Sequence, residues 1–169
     1  MEKLVETRKN SSIAAFFAVI KNPIKFRLFL LKNLPAAYFS GLKVEAINES
    51  RSIVSVPYKW FSRNPFRSTY FACLSMAAEM STGVLSMANT YKRHPKISML
   101  VVVVEGKFYK KATGKTSFIC EEGLLIKETI EKAIDLNQSQ TIRALSTGYN
   151  EQQELVAEFW ITWSFKAKQ

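Results

Sequence analysis

The sequence contains little cysteine and almost no histidine, and these shortages exclude several classes of site. Its two cysteines, Cys73 and Cys120, lie far apart in apolar runs, so neither a zinc ribbon nor a disulfide framework is expected. The single histidine, His94, precedes Pro95 in the polar stretch YKRHPK and is expected in a loop. We therefore predict no metal site, and the sequence indicates no cofactor.

Acidic residues are also scarce. Fourteen aspartates and glutamates stand against 24 lysines and arginines, which gives a formal net charge of +10. Such a surplus indicates an anionic partner, for example a nucleic acid, a membrane surface or a phosphate-bearing ligand. The basic residues are scattered and form no zinc-finger, helix-turn-helix or RNA-binding signature, so no nucleic acid partner is expected.

No apolar run near the N-terminus reaches the roughly 20 uncharged residues that a membrane-spanning helix needs. Basic residues and Pro23 interrupt this region, which predicts two short basic amphipathic helices at about 11–21 and 23–33. They either pack on the domain, which their aromatic and leucine-rich faces favour, or make peripheral contact with a membrane surface. The opening MEKLVETRKN lacks the pattern of a secretory signal, so we expect a cytoplasmic protein.

The rest of the chain alternates between strand and helix patterns, which predicts an α+β domain. Six strands with short connections indicate an antiparallel sheet. The helix from residue 68 to about 89 is apolar almost all round, so the sheet is expected to wrap around it, with Ser68 or Thr69 as its cap. The apolar run MLVVVV predicts a strand covered on both faces. The strand patterns lie at 41–50, 50–60, 97–111, 115–122, 139–150 and 154–167, and a second helix pattern lies at 123–138.

Glu79 is the only charged residue between Arg67 and Lys92. A membrane-spanning helix here is disfavoured, because a mid-span glutamate costs about 2.5–3.5 kcal/mol. On a buried helix, a carboxylate without a partner is costly or becomes protonated. Two interpretations stay open: a structural glutamate paired with a donor, or a desolvated carboxylate with a raised pKa that acts as a general base.

The segment from Asn64 to Glu79 resembles the site segment of the hotdog-fold superfamily of acyl-thioester enzymes. That family's usual run is an Asn, then His-Gly-Gly, then a small-residue helix with Asp or Glu nine residues after the His. Here Glu79 is nine residues after Tyr70. The turn KATG and the segment GYNEQQELVAEFWITWSF are similar to a turn and the last hairpin of the family. The resemblance covers residues 40–169, and NPFRSTYF is similar to a segment in a bacterial branch of thioesterase-like proteins.

The resemblance implies a hotdog domain at 40–169, in which an antiparallel sheet wraps around a long central helix, with residues 1–39 as an N-terminal helical extension. It also implies that two subunits pair edge to edge, as a homodimer or a dimer of dimers. The substrate would be an acyl-CoA or acyl-carrier-linked thioester, held in a tunnel at the dimer interface.

The resemblance further implies roles for individual residues. By position, Glu79 acts on water as a general base or attacks as a nucleophile, and Asn64 orients water or substrate. The amides of Phe71 and Ala72 polarise the thioester carbonyl at the start of the helix. The residues expected to form the oxyanion and substrate site are Tyr70, Phe71, Ala72, Ser75, Thr82 and Gly83. The residues expected to contact phosphate groups are Arg63, Arg67, Lys110, Lys111 and Lys115.

The chain departs from the family pattern where Tyr70-Phe71 replaces His-Gly. Glycine lets a substrate approach the backbone, whereas phenylalanine either fills the place of the thioester or lines a differently shaped acyl pocket. Tyr70 either donates a hydrogen bond or is a core aromatic. The helix at 124–136 is an addition to the minimal pattern of the family, either a lid or a capping element.

Three function hypotheses follow. The first is an acyl-thioester hydrolase in which Glu79 activates water. The second is a non-catalytic protein that binds a fatty acyl group or acyl-CoA. The third is a peripheral membrane protein that uses residues 11–33.

Overall fold

The computed structural model describes residues 2–168, with side chains described from residue 12 to residue 168. The order of strands and helices predicted from the patterns is confirmed, and a short helix α3 and a 3-10 turn at Trp60–Ser62 are additions to it. The helices are α1 (Glu2–Lys21), α2 (Pro23–Asn33), α3 (Pro35–Ser40), α4 (Phe71–Thr90) and α5 (Gly123–Asp135). The strands are β1 (Lys43–Ile47), β2 (Ser52–Val56), β3 (Ile97–Phe108), β4 (Thr116–Cys120), β5 (Gln140–Tyr149) and β6 (Leu155–Ala167).

The six strands form one antiparallel sheet in the order β1-β2-β4-β5-β6-β3. The long helix α4 packs against β2, β4, β5 and β6, as predicted for a central helix. From Met80 to Ser86 every residue of α4 is buried, because small side chains let the helix lie close to the sheet. The buried Trp163 of β6 donates its indole N–H to Thr82 Oγ1 at 2.8 Å, which ties the sheet to the middle of this helix.

Among the described helices, α4 alone has the length and apolar composition to cross a membrane. About 67% of that apolar window is buried inside the domain. The core helices of globular proteins can have the same length and apolar composition, and α4 packs as a core helix does.

The predicted cap of α4 is wrong. The N-cap residue is Tyr70, and its side chain makes no capping hydrogen bond. Thr69 does not cap the helix: it forms a β-bridge with Arg63 and donates its N–H to the carbonyl of Ala112 at 2.7 Å, and its buried Oγ1 has no hydrogen-bond partner among the described residues. Ser68 instead bonds to Asn64 within the preceding loop. Tertiary pairing of the loop thus delays the start of the helix.

The two N-terminal helices pack on the domain. Phe16 and Ile20 of α1, and Phe26 and Leu30 of α2, belong to the same buried core as the sheet and α4. The interpretation that their aromatic and leucine faces serve the core fits this packing. A domain boundary at residue 39 stays a prediction.

The strand β3 is the edge of the sheet, and its exposure contradicts the prediction of cover on both faces. It pairs with β6 on one side only, and 62% of Leu100 is exposed. Val102, Val103 and Val104 are about half exposed. An exposed apolar edge strand is a ready template for pairing with another chain. The fold of the described chain therefore does not account for the apolar sequence of β3.

The added helix α5 is built into the core. Its buried face, Ile126, Ile130 and Ala133, packs towards α4, β5 and β6. Arg93, just after α4, forms an ion pair with Glu131 of α5. These contacts are those of a capping element.

Candidate active site

A cleft of about 820 Å³ opens at the start of α4. Its walls come from two distant parts of the chain, the loop and helix start at 63–71 and the end of β3 with the residues after it at 108–112. The predicted site residues that line it are Arg63, Asn64, Tyr70, Phe71, Lys110 and Lys111. The predicted site residues outside its lining are Arg67, Ala72, Ser75, Glu79, Thr82, Gly83 and Lys115.

The side chain of Asn64 shapes the loop that forms one wall of the cleft. Its Oδ1 accepts the backbone N–H groups of Phe66 at 3.0 Å and Ser68 at 3.2 Å, and its Nδ2 donates to Ser68 Oγ at 3.1 Å. This is the local self-bonding that Asn favours in turns. These bonds engage both ends of the Asn64 amide. Its role in orienting water stays a prediction.

The backbone N–H groups of Phe71 and Ala72 face no acceptor among the described residues, as is usual for the first turn of a helix. Tyr70, the residue before them, donates its own N–H to the carbonyl of Ser62 at 2.7 Å. The helix start is therefore held in place while two donors stay open. An open pair of amides at a helix N-terminus favours negative charge.

Aromatic side chains line much of the cleft, and several of them were not predicted. Phe66, Phe108 and Tyr109 join Tyr70 and Phe71 in the lining, and all five are substantially exposed. The rings of Tyr70 and Phe71 meet edge to face, with centroids 5.0 Å apart. Since Tyr70 is an exposed cleft residue, its interpretation as a core aromatic is wrong. Phe66 lies in the segment NPFRSTYF, so the sequence could have indicated it as a site residue. Phe108 and Tyr109 are distant in sequence, and only the fold brings them to the same cleft.

Three basic residues line the cleft, and they differ in whether an acidic side chain already pairs with them. Lys110 Nζ is 2.6 Å from Glu154 Oε1, so this charge is already paired. Arg63 and Lys111 have no acidic partner among the described residues, whereas Lys115, outside the cleft, is 3.7 Å from Glu45. The free charges at the cleft are therefore those of Arg63 and Lys111.

Glu79 lies near the middle of α4, half-buried, in a narrow site between the helix and β6. A Cβ added to Gly83 would lie 3.2 Å from Glu79 Oε1 and 3.5 Å from the indole of Trp163. Thr82, one of the predicted site residues, is engaged on both sides: it accepts from Trp163 and donates to the carbonyl of Glu79 at 2.9 Å. The missing side chain at Gly83 thus makes the space that the carboxylate occupies.

Burial raises the pKa of Glu79 to about 7. No described residue donates a hydrogen bond or a positive charge to its carboxylate, so desolvation is not offset. Of the two interpretations of Glu79, the described contacts favour the desolvated carboxylate over the paired structural one. A carboxylate with a pKa near neutrality can accept a proton and return it at physiological pH.

Metal chemistry has no candidate site in this region. Across the described residues, no three His, Cys, Asp or Glu side chains converge as they would around a metal ion.

Glu79 and the residues that carry the open amides lie about two turns apart along α4. Glu79 is eight residues after Phe71, and an α-helix rises roughly 1.5 Å per residue, so their Cα atoms are about 12 Å apart. A base that acts through one water needs the carbonyl carbon within roughly 6 Å, from a hydrogen bond of about 3 Å and an approach of about 3 Å. Glu79 also lies outside the lining of the cleft.

No family model matches the sequence, and no curated protein matches it. Solved structures do resemble the chain. PA5026 from Pseudomonas aeruginosa, described as a probable thioesterase of unknown function, is 19% identical with a TM-score of 0.72, over 87% of this chain and 97% of that one. PaaI from the phenylacetic acid degradation operon of E. coli is 12% identical with a TM-score of 0.59, over 83% and 88%. The thioesterase HI1161 from Haemophilus influenzae is 13% identical with a TM-score of 0.57, over 83% and 88%.

At identities this low, the similarity shows a shared fold and nothing more. The strand order, the long central helix and these neighbours together show that the chain has the hotdog fold of thioesterase-like proteins.

Proposed function

We propose that the protein is an acyl-thioester hydrolase, acting on an acyl-CoA or an acyl-carrier-linked substrate in the cytoplasm. The observation that carries this proposal is Glu79, a carboxylate with no partner among the described residues, whose pKa burial raises to about 7. A structural glutamate would be expected to have a donor, since an uncompensated buried charge is costly. The open amides at the start of α4 supply the second element that acyl transfer needs.

In this mechanism Glu79 removes a proton from water as the water oxygen attacks the thioester carbonyl carbon. The amides of Phe71 and Ala72 stabilise the oxyanion of the tetrahedral intermediate. The intermediate then expels the thiolate, which takes the proton from the Glu79 carboxyl group and leaves as a thiol. The products are a carboxylic acid and the free thiol, and Glu79 is restored for the next cycle.

The cleft suits such a substrate at both of its ends. Its aromatic lining provides apolar surface for an acyl or aryl group. Arg63 and Lys111 provide positive charge for the phosphate groups of a CoA or carrier arm. This division supports a thioester substrate over a plain fatty acid.

The separation of Glu79 from the amides supports a site shared between two copies of the chain. The exposed apolar edge of β3 offers a surface for a second copy, and Phe108 at the end of that strand lines the cleft. We propose a homodimer, paired through β3, in which Glu79 of one subunit serves the amides of the other.

The proposed activity is tested by measuring thiol release from a panel of acyl-CoA substrates that includes short, long and aryl acyl groups. We expect hydrolysis of at least one of them well above the background rate. An absence of hydrolysis across the panel, with an acyl-CoA or fatty acyl group bound in native mass spectrometry, would replace this proposal with the next one.

A second candidate is a non-catalytic binder of acyl groups, and the exposed ring of Phe71 favours it. Phe71 is 58% exposed at the helix start, where its bulk can hold a carbonyl away from the amides. The substitution Phe71→Ala tells the two candidates apart, because it should speed hydrolysis in an enzyme that the ring obstructs and should only weaken binding in a binder.

The shared site predicts that two inactive variants restore each other. Phe71→Pro removes the amide of Phe71 but suits the first turn of a helix, since Tyr70 already has the extended backbone that precedes proline. Mixed with Glu79→Gln, it should form hybrid dimers that each keep one intact site. Random pairing of equal amounts should restore about one quarter of wild-type activity.

Phe71→Ala is the control for this experiment, because it removes the ring and keeps the amide. Light scattering on each variant checks that dimers form. If the carboxylate and the amides of the same chain work together, every hybrid site lacks one of them, and mixing restores nothing.

A further inference from the structure

The helix α2 presents apolar side chains on two opposite faces. Phe26 and Leu30 point into the core, whereas Ile24, Leu28 and Leu31 form a second stripe at helical spacing that is turned to the outside. Ile24 is 72% exposed and Leu28 is 61% exposed. Packing on the domain therefore accounts for only part of the apolar surface of α2.

The exposed stripe continues across α3 to the 3-10 turn. A shallow groove of about 280 Å³ joins the stripe to Tyr38, and Arg27 lies over the Tyr38 ring, 3.9 Å from its centre. Tyr38 meets Phe39 edge to face at 5.3 Å, and Phe39 meets Phe61 at 6.0 Å. Trp60, which is 76% exposed, follows at 6.4 Å. We call this connected surface the α2–Trp60 surface.

The segments that form the α2–Trp60 surface carry charges of one sign. No aspartate or glutamate occurs between residues 7 and 44 or between residues 52 and 78. Exposed Lys25 and Lys32 flank the apolar stripe on α2, and exposed Lys59 precedes Trp60. An apolar surface with a basic border and an exposed tryptophan has the composition that binds at the interface of anionic membranes.

A second copy of the chain fits this surface poorly. A symmetric pair would place the same patch against itself, so the lysines of one copy, Lys25, Lys32 and Lys59, would face the basic patch of the other. The segments that form this surface carry no acidic residue that could offset the repulsion.

We propose that the α2–Trp60 surface binds the face of an anionic lipid bilayer, with Leu28, Leu31 and Trp60 inserted among the lipids and the lysines at the headgroups. This function goes beyond thioester hydrolysis and does not depend on it. The 3-10 turn at Trp60–Ser62 runs directly into the loop at 63–70 that lines the cleft, so the bound membrane would lie next to that loop.

Vesicle flotation of the full chain tests this proposal, with phosphatidylcholine vesicles that contain or lack phosphatidylglycerol. We expect flotation with the anionic vesicles and much less with the neutral ones, and salt should weaken it. The double substitution Leu28→Gln/Leu31→Gln should lower the partition coefficient at least about tenfold. The matched control is Leu124→Gln/Leu125→Gln on α5, because these leucines are 53% exposed and lie outside the surface.

A second variant keeps the test valid if the leucine variant fails to fold. Lys25→Glu/Lys32→Glu leaves every apolar side chain in place and should abolish the preference for anionic vesicles. The proposal fails if the wild type does not float, or if both leucine pairs lose binding equally. It also fails if Leu28→Gln/Leu31→Gln lowers the molar mass in light scattering without lipid, because a second copy would then be the occupant. Thiol release from a soluble acyl-CoA reports on the proposed hydrolase separately.

Discussion

Replacing Glu79 with glutamine is expected to slow acyl-CoA hydrolysis by about 10²–10⁴-fold, the usual contribution of a general base. Glutamine keeps the shape of the side chain, so the site between Gly83 and Trp163 should remain filled. It cannot accept a proton from water, however, and the attack on the carbonyl then has no base. The measurement is kcat/KM on the best substrate of the acyl-CoA panel.

The pH dependence of kcat/KM separates a catalytic role of Glu79 from a structural one, because a purely structural residue would not change its shape. The base is active when ionised, so kcat/KM should rise as pH increases through about 7 and level off above it. In Glu79→Gln that rise should disappear.

Glu122→Gln is the matched control for the loss of activity. Burial also raises the pKa of Glu122, but its carboxylate accepts the N–H of Leu145 at 3.1 Å and lies outside the cleft. Its activity should stay close to that of the wild type. Equal losses in the two variants, or near wild-type activity in Glu79→Gln, would contradict the role of Glu79 as base.

The same substitution is expected to stabilise the protein at neutral and alkaline pH. Because the pKa of Glu79 is about 7 in the folded chain and near 4.5 when unfolded, the folded state holds the extra proton between these values. The free energy of unfolding therefore falls as pH rises from 4.5 to 7 and stays low above that range. Glu79→Gln should therefore raise the free energy of unfolding by up to about 3 kcal/mol at about pH 8.

Denaturant unfolding at about pH 8 and about pH 4 measures this difference. At the lower pH both proteins carry a neutral side chain, so their stabilities should be similar. Glu128→Gln makes the same chemical change on the exposed side of α5 and should alter stability little at either pH. If Glu79→Gln is no more stable than the wild type at pH 8, the ionised carboxylate has a compensating donor, as it would if a subunit interface supplied one.

Much of the fold could be predicted from the sequence because local patterns and global packing agree. The alternation in β1 and β2, the small-residue helix α4 and the turns that bound them each indicate one structure. The prediction failed where another part of the chain decides the outcome. An apolar run such as MLVVVV has the same sequence pattern whether its own domain or a second chain covers it. The structure places β3 at the edge of the sheet, where it is exposed.

The candidate site was predictable in its parts but not in its arrangement. The resemblance around Tyr70 and Glu79 implied a carboxylate on the helix and backbone amides at its start. Glu79 does lie on α4, and the amides of Phe71 and Ala72 lie in its first turn, while their catalytic roles stay predictions. Sequence spacing gave no sign that Phe108 and Tyr109 would form the opposite wall, because this wall meets the loop through a contact between distant parts of the chain, the hydrogen bond from the N–H of Thr69 to the carbonyl of Ala112. The cap at Tyr70 was missed for a related reason, since a contact with Ala112 extends the loop beyond Thr69.

The hydrogen bonds of Asn64 have a consequence for the kinetics of ligand capture. The loop is closed on itself by its own amide side chain, so its shape is fixed before any ligand arrives. A wall that is already ordered loses little conformational entropy on binding, and association needs no slow rearrangement of this loop. Ligand capture should then follow a single fast phase, whose rate rises in proportion to ligand concentration and never reaches a plateau set by loop closure.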